Sequence, residues 1–130
     1  MIQIFDKKGF TVLKTIESDT LSDAELNGCN LVEANLVQYD LRTAQLKGAD
    51  LNHADLRLAR LDHADLRDAD LSHADLSGAD LSEARLQGAK LTGTNLTDAR
   101  LPADFSRQQP GLHRLSAIRV SSDNHPLKDS

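Results

Sequence analysis

The chain has 130 residues, 20 acidic and 15 basic, for a formal charge of −5, with three phenylalanines, one tyrosine, no tryptophan and one cysteine. That length suits a single domain, and the lone Cys29 excludes both an internal disulfide and a site built from several thiolates. No apolar run approaches the roughly 20 residues of a membrane-spanning helix, and the acidic balance argues against direct nucleic-acid binding.

The start, Met1-Ile2-Gln3-Ile4-Phe5-Asp6-Lys7-Lys8, lacks the basic stretch and long apolar run of a secretory leader, so a cytoplasmic location is expected. Ile2, Ile4 and Phe5 are separated from Phe10, Val12 and Leu13 by Asp6-Lys7-Lys8-Gly9. This spacing predicts a β-hairpin over residues 1–15, turning at Lys7–Gly9. Its expected role is to cap the element that follows.

From residue 16 to residue 101 one period dominates. Leucine stands at every fifth position from Leu21 to Leu101, with Ile16 in phase upstream. Two residues before each leucine the residue is alanine, except at Asp19, Cys29, Tyr39 and Thr94. Burying Asp19 without a partner would be costly, so the full inward pattern is expected to start at Ala24. A helix cannot use this period, because five residues rotate about 140° and scatter the leucines around every side. A flat strand fails as well, because an odd step sends successive leucines to opposite faces. A three-residue strand followed by a two-residue corner satisfies both constraints. Ala and Leu then point inward together, and four corners close a square coil of twenty residues that stacks at about 4.8 Å.

Laid out by twenties, the leucines form four columns. The first holds Leu21, Leu41, Leu61, Leu81 and Leu101, and the second Leu26, Leu46, Leu66 and Leu86. The third holds Leu31, Leu51, Leu71 and Leu91, and the fourth Leu36, Leu56, Leu76 and Leu96. The expected architecture is an all-β solenoid of about four coils, filled along its axis by leucine. Corners with glycine in second place (Gly28, Gly48, Gly78, Gly88, Gly93) suit type II turns. Elsewhere that place holds Asp, Glu, Gln, Thr, His or Leu58, so mixed corners with many of type I are predicted.

The residue before each leucine points outward. One face reads Asp40, Arg60, Asp80, Arg100, an alternating ladder expected to help coil register. Asp65 faces Arg85 on a second face, and on a third Asp50 stands above Asp70, which faces Lys90. The fourth, Asn35, Asp55, Asp75, Asn95, stacks two like charges. Val32, Val37 and Leu58 are apolar at outward positions, and Val37 and Leu58 share one side in adjacent coils. A terminal segment is expected to cover them; uncovered, they would make a small docking patch. Asp55, Asp75, Val37, Leu58 and Arg57 are therefore the candidate interaction face.

His53, His63 and His73 each precede Ala-Asp, but His63 lies half a coil from the other two, so the three do not converge. No metal, cofactor or catalytic constellation is assigned, and a leucine-filled core leaves no substrate cavity. Cys29 and Tyr39 replace inner alanines and are read as filling a wider first coil. Beyond Leu101 the phase is lost: Pro102 intervenes, and Phe105 is placed to plug the last coil. Residues 102–120 are expected to cap that end, with Leu112, Leu115 and Ile118 on one short helix, and 121–130 to form a tail.

Ala24-Glu25-Leu26, Ala49-Asp50-Leu51, Ala64-Asp65-Leu66, Ala74-Asp75-Leu76 and Ala79-Asp80-Leu81 resemble the A(D/N)LXX unit of the pentapeptide-repeat proteins. The resemblance spans about residues 16–101 and implies a right-handed quadrilateral β-helix. It also implies a non-enzymatic interaction or scaffold module without cofactor, like the short stand-alone members common in cyanobacteria. The expected partner is a protein, with the chain itself a monomer or weak dimer. The alternative, implied by family members that mimic DNA, is binding to a type II topoisomerase such as gyrase.

Overall fold

The structure, a computed structural model, describes residues 1–109 and 119–120. Strands β1 (Ile2–Phe5) and β2 (Val12–Ile16) pair antiparallel, with Ile2 opposite Ile16 and an irregularity between Ile4 and Phe5. The turn closes through Gly9 N–H donating to Asp6 O at 3.0 Å, with Gly9 at φ +80°. The Asp6 carboxylate accepts the N–H groups of Phe10 and Thr11 at 2.9 and 3.1 Å, which fixes the tip.

The repeat forms a right-handed, four-sided β-helix. Each outward residue pairs in parallel with the one twenty positions on, from Glu25 with Gln45 to Asp80 with Arg100. The bonding is regular: Leu26 N–H donates to Gln45 O at 2.7 Å, and Gln45 N–H to Ala24 O at 2.8 Å. Every leucine at the fifth-residue positions from Leu21 to Leu96 is buried, the most accessible being Leu91 at 5%. Leu41, Leu61 and Leu81 in one column, and Leu46, Leu66 and Leu86 in the next, thus fill the axis as their spacing predicts. Leu101, where the phase breaks, is half-buried. Inner alanines from Ala34 on are buried with the leucines, because four inward positions per coil share a narrow prism. Thr94 keeps an inner position by donating its hydroxyl to Leu71 O at 2.8 Å. Cys29 and Tyr39 are half-buried against the same core, while Asp19 is exposed beside the terminal amine.

The corners correct the expectation of mixed turns. All eleven non-glycine residues in second place, from Asp23 to Asp98, have φ between 58° and 64°, like the glycines. Each corner closes with the N–H of the inner residue, alanine except at Cys29, Tyr39 and Thr94, donating to the preceding leucine carbonyl, as in Ala64 to Leu61 at 3.0 Å. Type I and type II corners differ by a flip of the central peptide. Here that peptide stacks: His53, Leu58 and Asp68 donate to Ser72, Ser77 and Gln87 of the next coil, all at 3.0 Å. A flipped peptide would lose that bond. The left-handed backbone costs on the order of 1 kcal/mol for a residue with a Cβ, and a retained hydrogen bond offsets a comparable amount. Stacking therefore overrides side-chain preference.

The hairpin lies against one side of the first coil. Asn35 N–H donates to Phe5 O and Lys7 N–H to Glu33 O, both at 2.8 Å, and Ile4 is fully buried. At the other end strand β3 (Asn95–Leu96) precedes a single helical turn, α1 (Phe105–Gln108). Phe105 is fully buried. Strand β4 (Arg119–Val120) pairs in parallel with β3. The predicted helix positions Leu112, Leu115 and Ile118, and the predicted tail 121–130, lie outside the described residues.

Gln108 does what no repeat residue is left to do. In the coil before, Leu66 N–H and Ala64 O are both satisfied by the backbone of Arg85. One coil on, Leu86 N–H donates to Gln108 Oε1 at 2.7 Å, and Gln108 Nε2 donates to Ala84 O at 3.3 Å. A side-chain amide thus takes the place of the missing peptide. Asp104 holds it by accepting from the same Nε2 at 2.7 Å, and Gln109 Nε2 donates to Leu86 O at 2.5 Å.

Candidate interaction surface

The outward Asp and Asn residues act first on their own corner. At ten positions the side-chain oxygen accepts the N–H two residues ahead, for example Asn30 from Val32 at 3.1 Å and Asp75 from Ser77 at 3.0 Å. This is an Asx turn laid over the β-turn, and it explains why a short acceptor recurs before leucine.

Where the residue two ahead is arginine, the same carboxylate also takes its guanidinium. Arg42–Asp40, Arg57–Asp55 and Arg67–Asp65 meet at 2.7, 2.8 and 2.7 Å. The Arg42 and Arg67 guanidinium groups hold Asp40 and Asp65 below the usual carboxylate range. At Asp55 burial pushes upward, but the Arg57 side chain and N–H outweigh it, with help from the charge of Lys7.

The ladder Asp40, Arg60, Asp80, Arg100 is stacked rung on rung by backbone pairing. Among the described residues none of these rungs joins another within 4 Å; Arg60 instead approaches Asp62 at 3.7 Å. Asp80 is still lowered: burial raises it, but the Ser82 hydroxyl and N–H, then the fields of Arg100 and Arg60, prevail. The close ion pairs lie within coils.

Asp55 and Asp75 stack on the fourth face, between Asn35 and Asn95. The adjoining corner carries a groove of about 530 Å³ lined by Val37, Arg57, Leu58, Gly78 and Asp98, among others. Its relief follows from side-chain size: Arg57 and Leu58 stand one coil above Ser77 and Gly78. Leu58 leans over Gly78 so closely that a Cβ there would come within 2.6 Å of Leu58 Cδ2. Leu58 is 54% exposed, and Val32 and Val37 are half-buried; residues 110–118 and 121–130, most of the C-terminal segment expected to cover them, lie outside the described residues. The structure thus brings Val37, Arg57 and Leu58 together on one groove, with Asp55 and Asp75 alongside.

His53 and His73 stack with ring centroids 4.9 Å apart and planes 18° from parallel. Parallel rings aim their nitrogens side by side, not at a common point, and no metal-binding cluster occurs among the described residues. No described helix is long and apolar enough to cross a membrane. Two features escaped the sequence reading: the Gln108 amide, and the exposed Phe10 at the hairpin tip.

The sequence matches the family described as Pentapeptide repeats in eight copies, over residues 21–57 and 59–98. Among solved structures, alr5209, a pentapeptide repeat protein from Nostoc PCC 7120, is 30% identical, with 75% of this chain and 84% of that one covered and a TM-score of 0.41. HetL from the same cyanobacterium, described as involved in heterocyst differentiation regulation, is 33% identical over 63% of this chain and 46% of its own, with a TM-score of 0.29. Rfr23 from Cyanothece is 23% identical over 93% of this chain and 76% of its own, with a TM-score of 0.34. No curated protein matches the chain. With more than half of its length accounted for by that repeat, and with coils, corners and leucine columns of the same five-residue unit, the chain belongs to the pentapeptide-repeat family.

Proposed function

We propose that the chain is a non-enzymatic interaction module whose corner groove and Asp55/Asp75 face dock a protein partner. One observation carries this reading: Leu58 stays 54% exposed in a repeat whose other leucines are almost all buried. It sits where side chains on a rigid backbone line a groove. A preorganised surface loses little conformational entropy on binding. The test is affinity capture from the source cells with the native chain and with Leu58→Asn, a residue tolerant of left-handed backbone. A partner retained by the native chain and reduced at least about tenfold by the variant supports the groove. Equal capture by both sinks it.

A DNA mimic directed at a type II topoisomerase is the second reading, favoured by the fourteen acids against eight bases in residues 21–101. Three of those carboxylates are tied to arginine within their own coils, which weakens the resemblance to a phosphate backbone. A supercoiling assay showing neither inhibition nor protection of gyrase at micromolar protein would remove this reading.

A further inference from the structure

The hairpin tip is a second apolar exposure among the described residues. Phe10 is 85% exposed, Val12 43% and Phe5 36%, and Lys7 and Lys8 precede Phe10 in the same turn. Phe5 and Val12 pair across the hairpin, so they share a face. The tip is held by Gly9 N–H to Asp6 O and by the Asp6 carboxylate on Phe10 and Thr11 N–H, so it presents an aromatic group without much entropy to lose. Asp6 offsets one lysine and leaves the turn net positive.

The groove is its complement. It offers exposed Leu58, which overhangs Gly78, and half-buried Val37. Among the described residues no cation lies within 4 Å of Asp75 or Asp98, whereas Asp55 is paired with Arg57. An aromatic anchor flanked by lysines therefore meets an apolar notch flanked by carboxylates, and both belong to this chain.

We propose that the Lys7-Lys8-Gly9-Phe10 tip of one copy docks in the Leu58/Gly78 groove of a second copy. The proposal rests on the reading of that groove as an interaction surface. Tip and groove are different patches, so the contact is heterologous: each bound copy still presents one free tip and one free groove, and association can propagate. A contact this small places the affinity in the weak, transient class.

Sedimentation velocity across a concentration series tests it. The native chain should show a sedimentation coefficient that rises with concentration, and the association should weaken as salt is added. Phe10→Ser and Leu58→Asn should each lower the self-association constant at least tenfold. An equimolar mixture of the two should form a one-to-one dimer that stops there, because one intact tip and one intact groove remain. If a variant melts abnormally, the charge reversal Lys7→Glu/Lys8→Glu replaces it on the tip side with the same expected loss. A native chain monomeric up to millimolar concentration overturns the proposal. So does loss with Phe10→Ser but not Leu58→Asn, which points to tip-on-tip pairing, or a mixture that stays monomeric. Capture of a foreign partner that depends on Leu58, with no self-association, leaves the interaction reading standing and removes only the second copy as occupant.

Discussion

Leu58 and Leu56 show how position, not residue type, sets the cost of a change. Leu56 is fully buried, and Leu56→Ala should destabilise by about 2–5 kcal/mol in urea denaturation. Leu58 sits at φ 60° with its side chain over Gly78, and Leu58→Asn should be neutral or slightly stabilising. The Asx bond separates geometry from charge. Asp75→Asn keeps an acceptor like that of Asn35 or Asn95 and should shift stability by less than about 0.5 kcal/mol. Asp75→Ala loses it and should cost about 1 kcal/mol. Acid acts at the same scale. The carboxyls of Asp40, Asp55, Asp65, Asp70 and Asp80 are lowered in the fold, so they bind protons more readily once unfolded. Their contribution is complete above the unfolded value of about 4 and is lost as pH falls through the lower folded values. The melting temperature should hold from neutral pH to about 5 and fall below about 4. A melt insensitive to pH in the acid range would contradict the assignment.

At the scale of an element, the C-terminal end depends on one amide. Gln108→Ala leaves Leu86 N–H and Ala84 O without their partner in a buried setting, which should cost about 1–3 kcal/mol. Hydrogen exchange is the direct readout: the Leu86 amide should lose protection in the variant while Leu46 keeps it. Unchanged protection at Leu86 would mean that solvent or another group already serves that end. No sequence signal marks this role, because the amide bridges 22 and 24 residues from a stretch outside the repeat. The corners were illegible for a related reason. Asp, His or Leu58 in second place argues for a right-handed turn locally, and the bond that reverses the preference comes from the next coil.

For the whole molecule, each coil touches only its neighbours, so stability is close to a sum of coil and interface contributions. Ala64→Leu should overpack the narrow prism and cost about 1–3 kcal/mol, with exchange rising in adjacent coils and little change at the ends. Uniformly raised exchange would argue for an all-or-none rod instead. The five-residue spacing was enough to establish the square coil, its four leucine columns and the outward faces, because a strict apolar period admits one geometry in which every leucine meets the axis. The Asp and Asn before each leucine were visible too, but as charges, since nothing in a linear reading shows a carboxylate bent back onto its own corner. Tertiary stacking decided the handed conformation of every corner, the amide that ends the last strand, and the exposure of Leu58. Each depends on groups about twenty residues apart or on packing against a neighbouring coil, and such contacts exist only once the coils are stacked.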